Sequence, residues 1–185
     1  LRDAVQRGFD LVDVELESAF DGVIKAKAGR GLVVSFHDLE GLPNDLDALH
    51  ARMAATGADV VKMQGGCEKF DIIKAVADAG VPVMSHVGMC PHFVHHYGGF
   101  KLQGKSVDDA MRIIDDGRAI EEAGAVGFEI EAVPAPVAKA VDEAVDIFTF
   151  SIGAGPHSCG QLLLGADLLG IFDQRQNVRV ESGEH

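Results

Sequence analysis

The chain has 185 residues, with 16 Lys and Arg against 29 Asp and Glu, giving a formal net charge of −13 with its 8 histidines neutral. Apolar residues make up 47% and charged residues 24%, which is enough to bury one core and excludes a disordered chain. The acidic balance argues against nucleic acid or an anionic membrane as partner, because phosphates are repelled, while one local cation can still hold a small anion.

The longest apolar stretch, 161–172, is interrupted by Asp167 and is too short to span a bilayer. Cys67, Cys90 and Cys159 form no C-x-x-C pair. That count excludes a disulfide scaffold or a zinc ribbon and fits a reduced, cytoplasmic compartment.

Apolar runs at 11–16 (LVDVEL), 31–37 (GLVVSFH), 58–63 (ADVVKM), 81–87 (VPVMSHV), 126–132 (VGFEIEA) and 147–153 (IFTFSIG) predict strands covered on both faces of a parallel sheet. A weaker seventh lies at 161–164, which also reads as the opening of a buried helix. Helices fit between the strands. Leu46, Leu49 and Met53 mark one, and Ile72, Ile73 and Val76 another. The clearest runs from about 107 to 123, with Ser106 as its cap, Asp109 at the third position and Gly124 just past its end. Val137, Ala138, Val141 and Val145 mark a fourth. Helices that stop at Gly before a strand, as in "ATGADVV", "DAGVPVM" and "EAGAVGF", are the sign of repeated βα units. No G-x-G-x-x-G follows the first strand, so the pattern favours a (β/α) barrel over a dinucleotide-binding sheet.

Barrel sites lie at the C-terminal strand ends. There this chain carries Asp13 and Glu15, His37 and Asp38, Lys62, His86, and Glu129 and Glu131. A lysine at the inner end of a buried strand is a nucleophilic amine, an anion-binding cation or the partner of a carboxylate. Glu15 and His37 read either as an orienting pair around a general base or as structural groups. Of the two later glutamates, Glu131 is favoured because it precedes the turn "AVPAP". The segment "SHVGMCPHFVHHYGGFKLQG" holds His86, His92, His95 and His96 but matches no zinc spacing, so it is read as a substrate loop with solvated histidines. "SIGAGPHSCGQ" is either an anion-cradling loop or a tight turn.

Over about 57–173 the sequence resembles ketopantoate hydroxymethyltransferase. The matching blocks are "GADVVKMQGG", "GVPVMSHVGMCPHFVHHYGGFKLQGKS", "AIEEAGAVGFEIEAVPAPVAKAV" and "SIGAGPHSCGQLLLGADLLGIFD". The resemblance implies a (β/α)8 TIM-type barrel, Mg2+, 5,10-methylenetetrahydrofolate and 2-oxoisovalerate, a small oxo acid. It gives Glu131 the role of general base and sets Lys62 and His86 against the acid. It also implies a homo-oligomer. Gln64 stands where the family carries a metal-contacting Glu, and a neutral amide is a weaker ligand for a hard cation. Glu15 and His37 or Asp38 stand nearest to the positions of the family's two Asp ligands. The family's Gly-Pro-His-Cys-Asp-Gly run reads Gly155-Pro156-His157-Ser158-Cys159-Gly160 here, without its Asp.

Over about 1–63 the chain resembles type I 3-dehydroquinate dehydratase, through "GFDLVDVEL", "GLVVSFHDLEGLPNDLDAL" and "GADVVKM". That resemblance implies a cofactor-free Schiff base on Lys62, with His37 moving the proton and Glu15 orienting His37. The two resemblances overlap at "GADVVKM" within a single barrel domain spanning 1–185. The hydroxymethyltransferase is the leading expectation. The dehydratase and an inactive barrel that binds or assembles are the alternatives. A closed barrel of this kind takes about 250 residues, so about seven strands are expected, with the first βα unit lacking.

Overall fold

The computed structural model describes the strand backbones 12–15 and 32–35, residues 52 and 55–57, and the chain from 59 to 164. Among the described residues seven strands follow one another in one sheet, in the order β1 to β7, and every neighbouring pair is parallel. They are β1 (Val12–Glu15), β2 (Leu32–Ser35), β3 (Val60–Lys62), β4 (Val83–Gly88), β5 (Gly127–Glu131), β6 (Phe148–Ile152) and β7 (Gly160–Gln161). Each falls at or within a residue of an apolar run in the sequence. Sequential order with parallel pairing is the wall of a (β/α) barrel. The predicted helix around Leu46, Leu49 and Met53 lies outside the described residues.

The helices come between strands. α1 (Phe70–Asp78) joins β3 to β4, α2 (Val94–Tyr97) and α3 (Val107–Glu122) join β4 to β5, and α4 (Ala135–Asp142) joins β5 to β6. The Ser106 hydroxyl accepts from the Asp109 N–H at 3.1 Å, so α3 begins where the sequence predicts. Apolar residues meet between this layer and the sheet. Ile73 of α1, Val83 and Val87 of β4, Ile113 and Ile120 of α3, Phe128 and Ile130 of β5, and Val141 of α4 form one buried cluster. Each such side chain contributes about 1.5–3 kcal/mol of burial. Gly117 lets α3 lie close to the sheet, since a methyl there would stand 3.1 Å from the Phe128 ring.

Side chains alternate across a strand. Because Phe128 and Ile130 face the helices, Glu129 and Glu131 share the opposite face. By the same alternation His86 lies opposite Val83 and Val87. The helix-packed residues thus fix which polar groups turn inward.

Candidate active site

Four ionisable groups meet on the inward face of β3, β4 and β5. Lys62 ends β3 and is 8% exposed. Its Nζ donates to Glu129 Oε2 at 2.6 Å. His86 and Glu129 are partners in strand register, with 1% and 2% exposure. His86 Nδ1 lies 3.1 Å from the same Glu129 oxygen, out of line for a hydrogen bond. On the other side of the ring, Nε2 lies 3.1 Å from Glu131 Oε2 and 3.2 Å from the Met89 carbonyl.

The carbonyl can only accept, so Nε2 carries a proton. The second ring nitrogen faces a carboxylate that Lys62 keeps ionised. Burial pushes the His86 imidazole down, but contact with Glu129 and Glu131 outweighs it and raises it above its ordinary range. Burial likewise pushes the Glu129 carboxyl up, and contact with His86 and Lys62 reverses this to hold it below the usual carboxylate range. The result is a row in which basic and acidic groups alternate: Lys62, Glu129, His86 and Glu131. Opposite partners side by side are what allow burial, since a lone buried charge costs several kcal/mol.

Glu131 is the open end of this row. Its side chain is 15% exposed, at the C-terminal end of β5 where a barrel site is expected. The next residue, Ala132, has φ +47°, a left-handed conformation that costs a non-glycine residue about 1–2 kcal/mol. Backbone bonds to its neighbours hold it there: Ala132 N–H donates to the Ile152 carbonyl and Gln103 N–H to the Ala132 carbonyl, each at 2.9 Å.

The His-rich segment lies over the ends of β3 and β4. His92 Nδ1–H donates to Gln64 Oε1 at 2.9 Å, and the Tyr97 hydroxyl donates to the Gly88 carbonyl at 3.4 Å. Burial pushes the Tyr97 hydroxyl up to about 12. His95 and His96 are exposed, as expected of solvated histidines. The loop after β3 is tied down from behind. Asp116 of α3, 8% exposed, accepts the Cys67 N–H at 3.0 Å. Burial, then Asp116, pushes the Cys67 thiol up to about 11, which leaves it unreactive near neutral pH. The "SIGAGPHSCGQ" loop returns to the edge of β6, with Ser151 and Ser158 hydroxyls 2.7 Å apart and Cys159 N–H donating to Thr149 at 3.3 Å.

The structure thus brings Lys62, His86 and Glu131 onto one face of the sheet. Glu129 joins them, although the sequence favoured only its neighbour. The signal was present, because residues two apart on a strand share a face. Glu15 lies in β1 with its side chain outside the described set, and His37 and Asp38 lie outside the described residues. Among the described residues no group of three His, Cys, Asp or Glu converges on one point. Mg2+ needs several oxygen ligands converging on one point, whereas Glu129 turns to Lys62 and Gln64 to His92, which leaves Glu131 as a single partly open carboxylate. These described residues do not fit Mg2+.

Comparison with known proteins bears on identity. A candidate phosphonomutase of Burkholderia cenocepacia J2315 superposes with a TM-score of 0.59 at 14% identity, over 92% of this chain and 84% of that one. The YdjI aldolase of Escherichia coli K12 does so with a TM-score of 0.52 at 13% identity, over 91% and 71%. These likenesses speak to the fold alone. In sequence, the 3-methyl-2-oxobutanoate hydroxymethyltransferase of Syntrophomonas wolfei is 44% identical over 116 residues, 63% of this chain and 42% of the relative. Those of Geobacter metallireducens and Pyrobaculum aerophilum are 39% and 42% identical over 82% and 78% of this chain, and 58% and 56% of their own length. The chain therefore spans about half the length of these relatives. A family model described as ketopantoate hydroxymethyltransferase matches residues 36–182, which takes in His37, Asp38 and the strand shared by both resemblances. With four-fifths of its length matched, the chain belongs to the ketopantoate hydroxymethyltransferase family.

Proposed function

We propose that this chain carries the oxo-acid part of a hydroxymethyltransferase site, in which Glu131 takes the C3 proton of 2-oxoisovalerate. The observation that supports this most is the partly open Glu131 carboxylate against the buried His86 ring, at the ends of adjacent parallel strands. A proton on the carbon next to a ketone is weakly acidic. When Glu131 removes it, the C–H electron pair moves into the C2–C3 bond and negative charge gathers on the ketone oxygen. Among the described residues, Lys62 and His86 are the basic groups set to balance that charge and to hold the acid's carboxylate. Such stabilisation is worth most where water is excluded. A bound donor would supply the one-carbon unit as a methylene at the formaldehyde level: the C3 carbanion would bond that carbon, the bond from it to the donor nitrogen would break with the nitrogen keeping the electron pair and taking a proton, and water would supply the hydroxyl of the product.

The resemblance names 5,10-methylenetetrahydrofolate as the source of that unit, and no described side chain is assigned to it. The resemblance also names Mg2+. The described donors do not suit that ion, so no step is drawn through it. The reading extends to a cytoplasmic homo-oligomer acting on a small oxo acid. It rests there on the family and on three free cysteines. No described helix is long and apolar enough to cross a membrane.

The dehydratase alternative asks Lys62 to attack a ketone as a free amine. Its 2.6 Å contact with Glu129 favours an ion-pairing role and gives the transferase the lead.

The test is deuterium exchange at C3 of 2-oxoisovalerate in D2O, followed by proton NMR with and without Mg2+. Glu131→Gln is expected to slow exchange by about 10²- to 10⁴-fold, the usual worth of a general base. Exchange indifferent to Glu131→Gln refutes this role. Borohydride trapping of 3-dehydroquinate on Lys62, read by intact mass, would return the dehydratase reading to first place.

A further inference from the structure

Glu129 takes no part in the chemistry just described, yet it is the most deeply engaged acid of the site. One oxygen of its carboxylate touches both cations, at 2.6 Å from Lys62 Nζ and 3.1 Å from His86 Nδ1. It sits two residues below Glu131 on the same strand face, so the two carboxylates lie roughly 7 Å apart along β5. The lysine stem is long and carries several rotors. An ammonium within reach of two carboxylates pairs with whichever is better desolvated and better placed. Glu129 is 2% exposed and Glu131 side chain 15%. The deeper acid therefore holds the lysine, and among the described side chains the upper acid is left with the imidazole edge.

We infer that Glu129 is a positioning residue: it anchors Lys62 and the His86 ring beneath Glu131, which keeps the Glu131 carboxylate open to a ligand. This deepens the proposed function and rests on it for the role of Glu131. The anchoring itself does not. Without Glu129, the same strand geometry lets Lys62 rise to Glu131 and close the base with an ion pair. Among the described residues, the ionisable groups facing the cluster are Lys62 from β3, His86 from β4, and Glu129 and Glu131 from β5. The Met89 carbonyl faces it from the loop after β4.

The experiment has two independent arms on Glu129→Gln. In the first, reductive methylation with formaldehyde and cyanoborohydride is read by peptide mass spectrometry, with the exposed Lys139 as internal reference. Lys62 is expected to be modified slowly in the parent protein and severalfold faster in the variant. In the second, C3 exchange is measured against 2-oxoisovalerate concentration. The expected change is a fall in kcat of about 10- to 100-fold, as for a misplaced reacting group, with a smaller change in KM. Lys62 labelling unchanged by Glu129→Gln overturns the anchoring, and an unchanged kcat with faster labelling overturns its consequence for Glu131. Where the parent protein shows no exchange, the proposed function fails and the labelling arm still decides for or against the anchor. Should Glu129→Gln not fold, Glu129→Asp keeps the charge but withdraws it by one methylene. Faster Lys62 labelling in that variant supports positioning, and parent-like labelling refutes it.

Discussion

Replacing Lys62 with Met tests whether the buried charge row is one cooperative unit. Met fills nearly the volume of the lysine stem, so the main loss is the ammonium at 2.6 Å from Glu129. At an effective dielectric of about 20, that contact has a gross attraction of about 6 kcal/mol, most of which desolvation offsets. What remains after Lys62→Met is Glu129 and Glu131 around one imidazolium, a buried net charge of minus one. Breaking a buried pair in this way costs about 3–5 kcal/mol. His86 stays 3.1 Å from the same oxygen, which places the cost near the lower end, about 3 kcal/mol. For a chain of this size that lowers Tm by about 6–12 °C. The double variant Lys62→Met with Glu129→Gln removes both charges and leaves the neutral His86–Glu131 pair. It is expected to be more stable than Lys62→Met alone, with a coupling energy of about 2 kcal/mol. Thermal melts and urea titrations of the parent, both singles and the double close the cycle. If Lys62→Met melts with the parent protein, or the two effects simply add, the row is not a unit and the reasoning fails.

Three further outcomes follow. Glu129 is held below its ordinary 4.5 and His86 above its ordinary 6.5, so the first stabilises above about pH 4.5 and fades on acidification, while the second is complete below about pH 6.5 and is lost as pH rises through its elevated value. Urea midpoints across pH 4 to 9 should therefore be highest in the interval between, and a midpoint climbing steadily above pH 6.5 contradicts the assignment. Ala132 at φ +47° should accept Gly with a gain of up to about 1 kcal/mol, whereas a β-branched residue there lowers Tm; a loss of stability in Ala132→Gly would show that no strain is stored beside Glu131. Ser106→Ala removes the hydroxyl that caps α3 and is expected to cost about 1 kcal/mol, read from the urea midpoint.

Strands and helices were legible because their causes are local. A parallel strand covered on both faces must be apolar along its length, and that is how 81–87 and 126–132 read. Gly124 follows α3 because a left-handed residue closes a helix cheaply. The inward turn of Glu129 was legible for the same reason, from its spacing to Glu131. Partners were not, because they depend on register between strands far apart in the chain. Lys62 and Glu129 are 67 residues apart, and Gln64 and His92 are 28 apart. Asp116 in "IIDDG" looks like one more surface acid of an amphipathic helix. It is buried because the loop after β3 presents Cys67 N–H to it.

Register also explains why two glutamates on one strand face have different fates. Glu129 pairs with His86 across the β4–β5 ladder and Glu131 with Gly88. At the first level an imidazole and an ammonium close over the carboxylate. At the second the β4 residue has no side chain to offer, and its backbone, at φ +89°, runs so near the Glu131 carbonyl that a methyl would collide with it. Gly88 thus serves two ends. It permits the close approach of β4 to β5, and it leaves the level of Glu131 uncovered on that side. The row is therefore more deeply buried at Glu129 than at Glu131, and under the proposed function that asymmetry is the reason the role of base falls to Glu131 rather than Glu129.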